Sequence, residues 1–249
     1  MRILTFTGKD AFMTLLNPIV TKCPHCGSLM SDYELMSYTV FHSENYSDGK
    51  SDNGIPDEKM VSICVECRRP FWRNDAILPG GDHGEASAGL PFAGDINEYL
   101  WDFEDNRQLQ RIGFYKGLLD DGFHDSDEKE AYLRTRLWWA VNDLLRYRRR
   151  WMPPFRPRLI LEAIRHNRMN RRLFMSYRQL MQKNLERLMF LYIKGGDADP
   201  LYLANMYREK GDFAKAAGII AKSDSKKDVF FRLLVKRIRR RDSMVFEIK

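Results

Sequence analysis

The sequence predicts an α+β protein, with a small N-terminal β unit joined to a larger all-helical domain. Three observations predict it. All four cysteines fall between residues 23 and 67, among short segments rich in β-branched and aromatic residues. A glycine-rich stretch follows at 79–94, and beyond it apolar residues recur at helical spacing almost to the last residue. Charge divides the chain in the same place. Residues 1–125 hold 11 Lys+Arg against 20 Asp+Glu, whereas 126–249 hold 30 against 14.

Composition sets the broad class. A hydrophobic content of 44% with 12% aromatics is enough for a normal core, which argues against wholesale disorder. The opening MRILTFTGKDAFMTLLNPIV is interrupted by Lys9 and Asp10 and has no small-residue cleavage site, so a secretory signal is not expected. No run approaches ~18 apolar residues, so no membrane span is expected either. The expectation is a soluble, cytoplasmic protein.

The cysteines form two pairs, CPHC at 23–26 and CVEC at 64–67, with 37 residues between them. Two residues between thiols let a tight turn aim both sulfurs at one point. Two such turns supply four thiolates, the set that suits one tetrahedral, structural zinc ion at Cys23, Cys26, Cys64 and Cys67. Pro24 and Gly27 fit the first turn, since Pro fixes its entry and Gly accepts a left-handed exit. Arg68 at the matching place in the second turn is a poorer fit. A redox dithiol would stand alone in a βαβ frame, and disulfides are disfavoured in a reducing compartment. His25, inside the knuckle, and His42, on an expected strand, are candidate substitute ligands. Strands are expected at Tyr38–Phe41 and Met60–Ile63, and SENYSDGKSDNGIPDE between them reads as an exposed loop. The pattern CPHCG…CVEC resembles the zinc ribbon families over residues 20–75, which implies a metal-dependent β fold for residues 1–78.

Residues 79–94 contain five glycines and two prolines and read as an interdomain linker. They lack the Lys-Ser/Thr of a phosphate-binding loop, and His83 within them reads as solvent-exposed. The helical domain spans 95–249. Helices are expected at Ile96–Glu104, at Asn106–Leu119 ending on Gly122, and from Ser126 to about Tyr147, with Ser126 as N-cap and acids in the first turn. A shorter helix should begin near Pro157, and the strongest at 169–194, stopped by Gly195 and Gly196. Three more are expected at 199–209, 212–222 and 226–240. Leu203, Ala204, Tyr207, Gly211, Phe213, Ala216 and Ile220 occupy the spacings of a helical hairpin. The segment LYLANMYREKGDFAKAAGIIAKS resembles one tetratricopeptide repeat, a protein-interaction module, without the usual closing proline; Asp228 stands there.

Arginines crowd the helical domain. Arg146, Arg148, Arg149, Arg150, Arg156 and Arg158 cluster with Tyr147, Trp151 and Phe155. Arg165, Arg168, Arg171 and Arg172 follow, and Lys236, Arg237, Arg239, Arg240 and Arg241 close the chain. Guanidinium groups pair with phosphate and aromatic rings stack on bases, so Arg146, Arg148, Arg149, Arg150, Trp151, Arg156 and Arg158 are the candidate nucleic-acid contacts. The competing reading pairs these arginines with the acidic half of the same chain, where the effective concentration is high. That internal reading is preferred. No HExxH, GxSxG or P-loop is present, and acid pairs such as Asp120/Asp121 sit in a turn. The functional expectation is a non-enzymatic zinc-binding protein whose helical domain engages a protein partner. Nucleic-acid binding is the alternative, and an enzyme with a dispersed site the third reading.

Overall fold

The computed structural model describes residues 2–3, 15–37, 43–52, 60–78, 87, 89–94, 107–146, 157–196, 198–223 and 228–249. The fold is α+β, and the chain divides into two compact units. One comprises residues 1–43 and 53–104. The other comprises 105–249 together with the short segment 44–52.

The β unit is built from two hairpins. Strand β1 (Arg2–Ile3) pairs with β2 (Leu15–Lys22), and β2 pairs antiparallel with β3 (Leu29–Ser37), from Leu15↔Ser37 to Lys22↔Leu29. The second hairpin joins β6 (Val61–Ile63) to β7 (Pro70–Trp72), with Ile63 opposite Pro70. A single helical turn, α1 (Arg73–Ala76), follows. Met30, Phe71, Ala76 and Ala93 close around Cys23 and Cys64 as its core. Arg73 and Asp32 form a buried ion pair at 3.0 Å across that core, and Arg73 also donates to the Tyr33 carbonyl at 2.7 Å. Of the expected strands, the second is present as Val61–Ile63, while Tyr38–Phe41 lies outside the described residues.

The end of the expected linker belongs to this unit. Ser31 N–H donates to the Pro91 carbonyl at 2.9 Å and Ala93 N–H to the Ser31 carbonyl at 2.8 Å. Gly94 and Ile63 exchange two further bonds at 3.0 and 3.1 Å. The segment 90–94 therefore fastens one hairpin to the other through backbone bonds, with Phe92 stacked on Tyr33 at 5.5 Å. Residues 79–86 and 88 are outside the described set.

The helical unit is centred on α3 (Asp127–Arg146), which packs against α2 (Arg107–Asp120), α4 (Pro157–Ser176) and α5 (Arg178–Gly195). Ser126 caps α3 by accepting from Lys129 N–H at 3.2 Å. Leu133, Leu137, Trp138, Val141 and Leu144 form its buried stripe. Glu130 accepts from Arg134 and Arg187, tying α3 to α5. These partners hold its carboxyl at about 2, the Arg187 bond leading. The helix expected over 169–194 is two helices that turn at Tyr177. Ser176 donates its hydroxyl to the Leu173 carbonyl at 2.7 Å, a local bond that competes with continuing the ladder. The next three helices, α6 (Pro200–Lys210), α7 (Phe213–Ala221) and α8 (Val229–Arg239), each begin on an aspartate. Asp199, Asp212 and Asp228 accept from the amides of Leu201, Lys215 and Phe230. Leu201, Ala204, Ala216, Ile220, Leu234 and Ile238 are their shared core.

Residues 44–52 of the polar stretch expected as an exposed loop are instead a structural insertion into this unit; residues 53–58 of that stretch lie outside the described residues. Strands β4 (Glu44–Tyr46) and β5 (Ser51–Asp52) form a hairpin, and β4 also pairs with the C-terminal strand β8 (Glu247–Ile248). Ser47 and Asp48 at its tip are fully buried. Asp48 accepts from Arg146 at 2.5 and 3.1 Å and from Asn142 at 2.7 Å. Lys50 reaches Asp143 at 2.8 Å, and Asp143 also holds Arg146 at 2.8 Å. The Ser47 carbonyl accepts from Asn205 and the Asp48 carbonyl from Trp139 and Tyr202. Beside them Arg208 and Glu209, both buried, pair with each other, and Glu209 accepts from Trp138 and Asn142. Burial raises the Glu209 carboxyl, against the pull of Arg208.

The hairpin turn depends on Gly49. Its φ is +77°, and an added Cβ would lie 1.4 Å from the Tyr202 hydroxyl. Gly49→Ala would impose left-handed strain of roughly 1–2 kcal/mol and displace Tyr202 from the Asp48 carbonyl. We expect the variant to lower the melting temperature of the helical unit by several degrees in a thermal scan. An unchanged melting temperature would place the turn elsewhere.

Candidate metal centre

Each Cys-x-x-Cys pair sits at the tip of one of the two hairpins of the β unit. The first knuckle, Cys23–Ser28, is the turn between β2 and β3. Its Gly27 N–H donates to the Cys23 carbonyl and its Cys23 N–H to the Ser28 carbonyl, both at 2.9 Å. The second knuckle repeats the pattern. Arg68 N–H donates to the Cys64 carbonyl and Cys64 N–H to the Arg69 carbonyl. Gly27 has φ +77° and Arg68 has φ +62°, so the arginine takes the left-handed position that glycine fills in the first turn. The repeated backbone explains why a residue without glycine's freedom is still found there: its turn bonds hold it in place.

The two tips converge. The Sγ atoms of Cys23, Cys26, Cys64 and Cys67 all lie within 4.8 Å of one another. Cys23 and Cys67 are 3.7 Å apart and Cys26 and Cys64 are 3.6 Å apart. Four sulfurs bonded to one ion at ~2.3 Å define a tetrahedron with edges of about 3.8 Å, so the spacing fits a single metal ion. These four residues could hold one. Two buried cysteines, Cys23 and Cys64, anchor the site in the core, and Cys26 reaches the surface.

Ser28 is a site residue that the cysteine spacing alone did not reveal. Its hydroxyl lies 3.1 Å from Cys26 Sγ and 3.3 Å from Cys64 Sγ, so it bridges the knuckles. With its backbone amide it pulls the Cys26 thiol down to about 6. At Cys64 burial opposes ionisation, and the Ser28 hydroxyl with the Cys67 and Glu66 amides outweighs it. Cys23 goes the other way, raised chiefly by burial. Cys67 has a favourable Arg69 amide, but burial and the three neighbouring thiols lift it to about 11. Near pH 7 the metal-free set therefore retains protons that an incoming ion must displace. Metal affinity should rise between pH 6 and 8 with measurable proton release, followed by titration calorimetry in buffers of different ionisation heat. A pH-independent affinity would mean that these thiols are not the ligands.

His25 is not aimed at the sulfurs. Its Nε2 lies 3.0 Å from the Pro70 carbonyl, and only its backbone N–H approaches Cys23 Sγ, at 3.4 Å. His42 and His83 are outside the described residues.

The candidate nucleic-acid residues separate. Arg146 is only 3% exposed and is committed to Asp48 and Asp143, with the Tyr46 ring 4.4 Å from its guanidinium. It is an interior ion-pair residue and does not lie on a polyanion surface. Sequence placed it correctly at the end of a helix but could not show that residues 44–52 bury it. Arg158 is exposed on α4. Arg148, Arg149, Arg150, Trp151 and Arg156 lie outside the described residues. No helix among the described residues is long and apolar enough to cross a membrane. Comparison with known proteins finds no matching family model, no similar curated protein and no similar solved structure.

Proposed function

We propose that this chain is a non-enzymatic zinc-binding protein in which one zinc ion holds the β unit as a zinc ribbon and the helical unit serves as a binding scaffold. The observation that carries this reading is the convergence of four cysteine sulfurs within 4.8 Å at the tips of two hairpins. Four thiolates complete a tetrahedral shell, so a bound ion keeps no position for a substrate or an attacking water, and its role is structural. Tetrahedral sulfur sites suit zinc or iron. Zinc is the reading favoured here, because it adds no redox step to a site built as a fold anchor. The stacked helices over residues 200–239 support the scaffold half of the proposal: their small and apolar core residues allow the close packing found in tetratricopeptide hairpins.

Elemental analysis of purified protein tests the metal half. The expected result is close to one zinc per chain, with a colourless solution. A visible absorption band with stoichiometric iron would replace zinc, and no bound metal at all would end the proposal.

A further inference from the structure

We propose that the exposed face of helix α4 binds the phosphodiester backbone of double-stranded DNA through Arg158, Arg165, Arg168, Arg171 and Arg172. This rests on the reading of the helical unit as a binding scaffold, and it names the partner.

Helix α4 runs for 20 residues and carries five arginines against one acidic residue, Glu162. All five arginines are exposed, and none is ion-paired with a described residue. At 3.6 residues per turn they fall within an arc of about 140°, with 158, 165 and 172 within about 40° of one line. Ala163, Asn170 and Phe174 lie on the roughly opposite side and are buried. The helix is therefore anchored along one side and presents a continuous cationic strip along the other.

Internal pairing accounts for other basic groups of this unit. Asp48 takes Arg146, Asp143 takes Lys50, Glu130 takes Arg134 and Arg187, and Asp242 takes Arg237. The α4 arginines are left out of that pattern, so the strip is complementary to an external anion.

Three features select the occupant. All five cations are arginines, whose planar fork pairs with phosphate at two points, whereas lysine offers only a point charge. The strip extends from Arg158 to Arg172, about 21 Å at 1.5 Å per residue, or roughly six base pairs of duplex at 3.4 Å each. It matches an extended row of phosphates better than a single headgroup. Of the four exposed apolar residues of α4, Leu161 and Met175 are interleaved with the arginines in the same arc, Met169 borders it, and Leu159 lies outside it. An interfacial membrane helix would segregate them on a separate face. Among duplexes, B-DNA has a major groove about 12 Å wide that admits a helix, while the deep, narrow groove of A-form RNA does not.

The test is fluorescence anisotropy of the full-length, metal-loaded chain with a labelled duplex DNA of about 20 base pairs. Five phosphate contacts should give a slope of log affinity against log salt of about −4.5, a loss of about 500-fold between 50 and 200 mM. The triple variant R165Q/R168Q/R172Q should flatten the slope to about −1.8 while the circular dichroism spectrum stays unchanged. The lysine triple at the same positions should keep the steep slope with weaker affinity. An unchanged slope in the glutamine triple would overturn the proposal. So would the absence of duplex DNA binding at 50 mM salt. Tighter binding to an RNA duplex, to vesicles containing phosphatidylserine, or to polyglutamate would also overturn it, by transferring the face to that partner. Tighter binding to one of those other partners leaves the scaffold reading standing, whereas binding to none of them ends both.

Discussion

Replacing Asp48 by alanine is expected to destabilise the helical unit by about 3–5 kcal/mol, the range for removing one partner of a buried ion pair. The magnitude follows from what is left behind. Asp48 and Arg146 both have fully buried side chains. Without the carboxylate, the Arg146 guanidinium keeps only Asp143 and the Tyr46 ring, and Asn142 Nδ2 keeps only Glu209. Burial works against the charge on Arg146, and it is the attraction of Asp48 and Asp143 that holds its pKa above the usual arginine value. Urea unfolding followed at a helical wavelength should show the midpoint moving down by roughly 1.5–2.5 M, for a slope near 2 kcal/mol/M. Arg146→Met in the Asp48→Ala background should recover part of the loss, because it removes the stranded charge. A midpoint that does not move would mean that the hairpin at 44–52 does not seat in the helical unit.

The second large effect is at the cysteines. Cys64→Ser is expected to abolish metal binding and unfold the β unit, since structural zinc contributes on the order of 10 kcal/mol to small folds that close around it. Cys64 is buried in the same core as Met30 and Phe71, so losing the ion opens the hydrophobic cluster as well as the site. Metal content should fall from one per chain to near zero. Proteolysis should then cut within 60–78, a region expected to resist cleavage in the metal-loaded protein, where β6 and β7 are paired around the buried Phe71. A serine variant that still held stoichiometric metal and resisted cleavage would remove Cys64 from the ligand set.

Much of this architecture is legible in the sequence, and the failures have identifiable physics. The two Cys-x-x-Cys turns are local geometry, set by a few residues each, and both form where their spacing places them. Helix starts are equally local: Ser126, Asp199, Asp212 and Asp228 each satisfy an amide within three residues. The linker reading failed at residues 90–94 because glycine density reports backbone freedom and says nothing of where the backbone hydrogen-bonds. The exposed-loop reading of residues 44–52 failed for a related reason. Ser47, Asp48 and Lys50 are polar, and polarity alone reads as solvent exposure, although their partners in the helical unit lie 91 to 199 residues away. One local signal was present: Asp48-Gly49 is a strong hairpin turn pair. Ser28 was missed because its role depends on Cys64, which only the converged knuckles bring near.

The inserted hairpin also orders events during vectorial synthesis. Segment 44–52 leaves the ribosome before the second knuckle exists, yet its strand partner is β8 and its ion-pair partner is Arg146. Ser47 accepts from Phe246 N–H, a residue 199 positions later. At translation rates of about 5–20 residues per second, roughly 10–40 s separate the two ends of that bond. Asp48 waits about half of that time for Trp139, Asn142 and Arg146, and β4 waits almost all of it for β8, while Cys23, Cys26, Cys64 and Cys67 are available early to gather an ion. Metal capture by the nascent chain would close residues 27–63 into a covalently continuous loop that contains segment 44–52 before its partners in the helical unit emerge.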